Sequence, residues 1–446
     1  MDGHQKYNMK KYILILFVIL LSLMCIAWTV HDMHKIAITR MNATAAASDI
    51  DPTTDVTYLG SFRIPDVSFW DGGKGMTFYP DGNSGAGSLF VSQGAISRNV
   101  IEITIPTLVK SQTPSSLNRA TLLDGLHDPS EGKINAQLDD PLEELGDVCF
   151  LPKQGAQETD KLWWAAYEGY NVDVTDYPSF GYSELDLSNP SSNGLYKITP
   201  GTVNKSGSYL AAILDSDWAN TNVSDKLLII GYMRGGSGGA SGTRGPTLYA
   251  IAPWTGSSPF TSTVLLEYEG AGGTNWLDDI SQKAAMPGVI WIKAGNNQAV
   301  LFTGYLGDPA ADCYGSECED PCGAEQSYHS YPYRHAWLWY DIDDLADVAN
   351  SVINSYDPQP YSTWTPGSGV LISTGNCTEG SGGIAYQENY SGADGRLFVA
   401  ELDVDSTGSN THLPVIHVFQ IASGGNPGAI SIPGNLSISS GSLSVH

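Results

Sequence analysis

The sequence predicts an all-β protein, a five-bladed β-propeller closed by its own N-terminal strand. Three observations predict it. Apolar strand-like runs recur in the same order five times along the chain, and such repeats indicate architecture before any other signal. The second runs are Ser88–Ser92, Lys161–Ala165, Lys226–Ile230, Ala299–Thr303 and Arg396–Ala400; the third are Val100–Pro106, Gly194–Pro200, Thr247–Pro253, His335–Asp341 and Pro414–Gln420. Almost no helical pattern separates them, and Gly-rich turns do. Finally, Val56–Pro65 reads as a lone strand with no blade of its own, and in a closed propeller such a strand completes the last blade and removes its open edge.

The first strands follow in chain order. Blade one opens at Gly75–Pro80, blade two at Asp147–Pro152, blade four at Val289–Ile292 and blade five at Gly383–Tyr386. Blade three has no clear first strand, and its candidate lies within 209–226. A six-bladed count is the runner-up, with the extra blade in 201–226 or in the tail. Blades one and four share a helix-like piece after the third strand, at Thr107–Ser111 and Asp343–Ile353, the second with Asp343 as a possible cap. Outer strands follow at Ala120–Leu123 and Tyr361–Trp364. Two long loops, Gly169–Asn193 and Gly304–Arg334, are placed between second and third strands. Loops of that length are usually functional or disordered.

Residues 1–28 read as a signal peptide or signal anchor, 29–55 as a stalk, 56–422 as the propeller and 423–446 as a Gly/Ser-rich tail. Tyr12–Trp28 is a nearly uncharged apolar run behind Lys10-Lys11, at the short limit for a bilayer span. Met9 is the expected start of translation, and Cys25-Ile26-Ala27 offers a small-x-small cleavage site. Either reading exports residues 56–446. Only 16% of residues are charged, yet the formal net charge is −26. A nucleic-acid partner is disfavoured on that ground, because phosphate recognition needs a basic face. Five cysteines lie beyond the apolar run: Cys149, Cys313, Cys318, Cys322 and Cys377. An exported compartment permits disulfides. One bridge is expected within Cys313, Cys318 and Cys322, with the third cysteine paired to Cys377 or free.

The run His329-Ser330-Tyr331-Pro332-Tyr333, followed by Trp337-Leu338-Trp339-Tyr340-Asp341 and Pro360-Tyr361-Ser362-Thr363-Trp364, resembles a signature of a family of exported bacterial β-propeller-like proteins. Gly382–Tyr386, Leu397–Glu401 and Pro414–Phe419 are similar to that family's C-terminal end. The resemblance spans most of 56–422. It implies export and a propeller; no function is attached to the family, so it implies no catalytic residues.

The strand reading places candidate chemistry at the channel mouth, before each first strand and around each second-to-third loop. The first set holds Asp71, Glu144, Asp147, Asp278, Asp279 and Glu379. The second holds Arg98, Tyr167, Glu168, Tyr232, Arg234, Arg244, Tyr305, Arg334, His335, Glu401 and His412. Carboxylates from different blades can flank a glycosidic bond as acid and base. A His or Tyr beside a cation suits a polysaccharide lyase instead. The catalytic candidates are Glu144, Asp147, Tyr167, Glu168, Tyr305, His335 and Glu379. The ligand-binding candidates are Arg234, Arg244, Arg334 and Trp276. Each also has a plain alternative as a solvated loop acid or a packed ring. Cys313, Cys318 and Cys322 with His329 and His335 have a zinc-like look, but a disulfide clip is the preferred reading. Glu317, Glu319 and Asp320 keep calcium open.

Two function classes follow. One is an exported cell-surface or secreted propeller that binds a polysaccharide at the mouth, with cleavage by a lyase or a glycoside hydrolase as its further form. The other is a non-catalytic envelope propeller that binds a protein partner. In blade four, alternation puts Arg334 on the channel face and His335 on the face of Trp337 and Trp339.

Overall fold

The structure is a computed structural model that describes residues 48–68, 72–93, 98–134, 143–168, 176–202, 206–233, 243–270, 273–323, 326–373, 375–378, 380–410 and 412–424. The chain divides into a unit of residues 1–48, which lies outside the described residues save for Ser48, and a second unit from Asp49 onward. The predicted signal segment, residues 29–47 of the stalk and residues 425–446 of the tail therefore lie outside the described residues. Among the described residues no helix is long and apolar enough to cross a membrane.

The second unit is a five-bladed propeller of four-stranded antiparallel sheets. After a two-residue strand at Ser48–Asp49, the first strand of the blades is β1, Val56–Arg63. Blade one is β2 Gly72–Tyr79, β3 Ser88–Gln93, β4 Val100–Thr104 and β5 Leu122–His127. Blade two is β6 Glu143–Leu151, β7 Lys161–Glu168, β8 Phe180–Ser183 and β9 Asn193–Tyr196. Blade three is β10 Tyr209–Ala212, β11 Leu228–Gly231, β12 Leu248–Ile251 and β13 Thr263–Leu266. Blade four is β14 Ala285–Ala294, β15 Asn297–Leu306, β16 Arg334–Tyr340 and β17 Ser362–Trp364. Blade five is β18 Ser381–Ser391, β19 Asp394–Asp405 and β20 Leu413–Ile421, and β1 pairs antiparallel to β20 as its outer strand. The expected closure is thus formed. Arg63 reinforces it by donating from Nε and Nη2 to Leu117 O, at 3.1 and 2.8 Å.

Alternation along these strands sends apolar residues to both faces, because each blade is sandwiched between two others. The core is accordingly a series of inter-blade layers. Phe62, Leu89, Ile101 and Val418 fill one layer; Leu301, Trp337, Trp339 and Phe419 fill another. Trp163, Phe180 and Tyr249 fill a third, and Phe90, Val148 and Trp164 a fourth. Ile50, upstream of β1, is fully buried in the second of these layers.

Three local expectations are corrected. In blade two, Gly194–Pro200 is not the third strand; residues 193–196 form the outer strand, and the third strand Phe180–Ser183 lies inside the segment read as one long loop. The short, Gly- and Tyr-rich Phe-Gly-Tyr-Ser run carries too little β-branched character to stand out. In blade one, Thr107–Ser111 is not helical: Val109 bridges to Ser61 instead. In blade four the helix is α1, Ile342–Ala349, capped by Asp341 and not Asp343; the Asp341 carboxylate accepts from Asp343 N at 2.8 Å. The missing first strand of blade three is Tyr209–Ala212, short because the helix Ser216–Val223 follows at once.

The five inner strands, β2, β6, β10, β14 and β18, form a closed ring, each against the next. Small residues make that approach possible. A β-carbon on Gly75 would lie 2.4 Å from Asp147 Cα, and one on Gly146 only 2.1 Å from Ser208 O. One on Gly288 would lie 2.4 Å from Gly382 O, and one on Gly383 2.7 Å from the Gly75 backbone. Neighbouring inner strands are therefore sealed side to side, backbone against backbone, so the ring leaves no gap between blades.

Candidate functional site

The connections into each inner strand and the loops between second and third strands share one face, the mouth. Its floor is Asp147, on β6. Its side chain is buried, with Oδ1 accepting from Met76 N at 3.1 Å and Val148 N at 2.7 Å, and Oδ2 accepting from Leu210 N at 3.0 Å. One carboxylate thus joins the inner strands of blades one, two and three. Burial raises its pKa well above the ordinary value, against the opposing pull of the three amides. This is the geometry of a clamp on the axis, with no face turned to a ligand.

Above the clamp, three side chains converge on one atom. Glu144 Oε2, on β6, accepts from Lys74 Nζ of β2 at 2.8 Å and from the Tyr167 hydroxyl of β7 at 2.6 Å. Lys74 and Glu144 keep 24% and 23% of their side chains exposed, so the pair opens to solvent while Tyr167 lies buried behind it. The Tyr167 ring meets Tyr232 of blade three edge-on, with centroids 6.2 Å apart. Glu144 and Tyr167 were both expected at the mouth. Lys74 was not, because the first strand was read from Gly75; the true strand begins three residues earlier, and Lys74 is on it.

On blade three, the Arg244 guanidinium lies over the Trp276 ring at 3.9 Å, which joins two predicted ligand-binding residues in one cation–π plate. On the blade-four side, Lys283, Tyr305, Asp320, Tyr333 and Thr378 line a cavity of about 290 Å³ beside the Cys322–Cys377 disulfide. Asp320 Oδ2 there accepts from the Tyr333 hydroxyl at 2.5 Å and pairs with His329 Nδ1 at 2.9 Å. The second disulfide is Cys313–Cys318, and Cys149 is a free thiol whose burial pushes its pKa up and makes it inert. The disulfides point to an oxidising compartment. Their four sulfurs are unavailable to zinc. Among the described residues no group of three or more His, Cys, Asp or Glu side chains is arranged to hold a metal ion.

His335 is buried behind the mouth. Its Nε2 bonds Thr378 Oγ1 at 2.9 Å, and its Nδ1 lies 3.3 Å from Ser381 Oγ, which also accepts from Trp337 Nε1 at 3.0 Å. Glu401 Oε1 is 3.7 Å away, and Glu401 Oε2 bonds His417 Nε2 at 2.7 Å. Arg334 points away and is exposed, lining a cleft of about 230 Å³ against the loop 365–376. Asp278 and Asp279 are exposed loop acids, and His412 is exposed and pairs with Asp403. Asp71, Arg234 and Glu379 lie outside the described residues, as does the side chain of Glu168 at the end of β7.

Burial holds His335 below its ordinary pKa of 6.5, despite the opposing pull of Glu401. Burial pushes Glu401 up, but its bond to His417 and the amides of Ile372 and Ser373 outweigh this and leave it below its ordinary value. Both depressed values give stability that is present above the unfolded-state pKa and lost as pH falls through the folded one. Asp147 acts in the opposite sense: its raised pKa gives stability that is fully present below the ordinary value of 3.8 and lost as pH rises through the folded one. The first losses on acidification therefore come from His335. Unfolding free energy should fall as pH drops below 6.5, and His335→Gln should flatten that first slope in denaturant titrations at stepped pH. An unchanged slope would contradict this assignment.

No family model matches the chain, and no curated protein matches it. Among solved structures it is similar to a thermostable family-43 glycoside hydrolase, at 11% identity and a TM-score of 0.39, covering 84% of this chain and 92% of that one. A likeness at that level carries no argument about activity, and the propeller assignment rests on the closed ring of five antiparallel blades itself.

Proposed function

We propose that the protein is an exported propeller that binds a polysaccharide across its mouth. The observation that supports this reading is the Lys74–Glu144–Tyr167 cluster. It is a partly exposed carboxylate fixed by an ammonium and a phenol from two blades, standing above the Asp147 clamp. Such a cluster offers donors and an acceptor in fixed geometry to sugar hydroxyls, and preorganisation lowers the cost of binding. It also supports general acid–base transfer at the mouth. Hydrolysis by two carboxylates needs a partner for Glu144 at about 5–9 Å, and the side chains of the candidate carboxylates Glu168 and Glu379 lie outside the described residues. Binding is therefore the core of the proposal, and the same assay decides cleavage.

The test is a panel of acidic and neutral polysaccharides, read by calorimetry, by reducing ends and by absorbance of an unsaturated product. At least one should bind. Glu144→Gln and Tyr167→Phe should each weaken it about tenfold, roughly 1.4 kcal/mol, with the unfolding midpoint preserved. Absorbance without new hydrolysis would identify a lyase. A panel in which nothing binds and nothing is cut would sink the proposal and favour the non-catalytic surface propeller.

A further inference from the structure

A second cleft, of about 560 Å³, lies on the face away from the mouth, between blades two and three. Its walls are the hairpin joining β6 to β7 and the connection joining β12 to β13. Aromatic rings dominate it. Tyr182 and Tyr196 lie nearly parallel, their planes 30° apart, and both are half-buried. Trp254 faces the cleft from blade three, seated on Gly155, where a β-carbon would come within 2.5 Å of the indole.

Both walls are braced before any ligand arrives. Gln157 Oε1 accepts from Trp163 Nε1 at 3.0 Å, and its Nε2 donates to Leu151 O and Pro152 O, each at 3.0 Å. On the other wall, Phe260 N donates to Lys197 O at 2.8 Å, and Lys197 N donates to Ser258 Oγ at 2.9 Å. These bonds tie the two blades together beneath the cleft.

The lining is also close to electrically neutral. Among the described residues Lys161 is the one cation that lines it, and it is paired with Glu184. Glu158 on the rim is exposed. With its lysine already paired, the cleft offers little to an anionic ligand. Parallel aromatic rings, polar rims and a volume within the roughly 300–1,000 Å³ of ligand pockets suit a molecule with apolar faces and hydroxylated edges. Stacking of such faces on aromatic rings is favourable beyond area burial.

We propose that this cleft binds a short neutral oligosaccharide, independently of the mouth. The site does not rest on the reading of the Glu144 cluster. The test uses the full chain and soluble linear glucan, xylan and mannan fragments in isothermal titration. At least one fragment should bind, and Trp254→Ala should weaken that binding about tenfold or more, by the worth of a stacking pair and its burial. Trp254→Phe should restore part of it. Any binding component lost in Glu144→Gln belongs to the mouth and is counted apart from the one lost in Trp254→Ala. Ala156→Arg provides a second route, because it blocks the cleft from an exposed loop position without disturbing either wall. No fragment binding the native chain would overturn the proposal. So would binding that survives both Trp254→Ala and Ala156→Arg but is lost in Glu144→Gln, which would place all recognition at the mouth.

Discussion

Replacing Asp147 with alanine should destabilise the propeller more than any other single change at the mouth. Three backbone amides, of Met76, Val148 and Leu210, would lose their acceptor in a region closed to water. An orphaned buried donor costs about 1–3 kcal/mol, so the expected loss is about 3–6 kcal/mol after partial relaxation. Asp147→Asn should lose less. Its remaining oxygen can still serve Met76 and Val148, while its amide group would face the Leu210 N–H. Chemical denaturation of the two variants measures the difference. An Asp147→Ala protein as stable as the native one would show that the inner ring holds without its clamp. A catalytic role, by contrast, would appear as lost activity at unchanged stability.

Glu401→Ala is expected to cost about 3–5 kcal/mol, the usual consequence of removing one partner from a buried pair. His417 is fully buried and would be left without its carboxylate. The variant should also loosen the mouth. Glu401 accepts from Ile372 N at 2.8 Å and Ser373 N at 2.6 Å, so it anchors the loop that carries Cys377 and Thr378 into the blade-four cavity. Hydrogen exchange should rise across residues 366–378 beyond the global change in stability. Glu401→Gln keeps one acceptor and should show a smaller effect on both measures. Faster exchange spread evenly over the chain, with no excess in that loop, would contradict the anchoring role.

The blade count and the closure by Val56–Arg63 were legible because both follow from hydrophobic repetition. Each blade must bury two faces, so its strands carry long apolar runs such as Leu162-Trp163-Trp164-Ala165 and Leu397-Phe398-Val399-Ala400. Boundaries were less legible. The strand Phe180–Ser183 has only four residues and sits between long connections, so the stronger Gly194–Pro200 run was placed one position too far in. Lys74 falls outside the expected strand by a smaller boundary error, since β2 begins three residues before Gly75. At the site, Glu144 and Tyr167 could be named, since they sit where an inner strand starts and a second strand ends. Their convergence on one oxygen could not. It depends on how blade one is seated against blade two.

What the sequence by itself determined is the repeat, and with it the five blades, their antiparallel order and the end of the molecule where polar loops gather. These follow from local periodicity and burial, which a linear pattern encodes. Only the tertiary structure decided which polar residues serve the scaffold and which meet solvent at the mouth. Asp147 and Glu144 are three residues apart on one strand, yet one is sealed beneath the ring by amides from three blades and the other meets solvent beside a lysine. His335 and Arg334 are adjacent, yet one is buried against Thr378 and the other is exposed. The difference is set by depth along the axis and by contacts from strands far away in the chain. Burial and hydrogen bonding across blades, and not residue type, assign these roles.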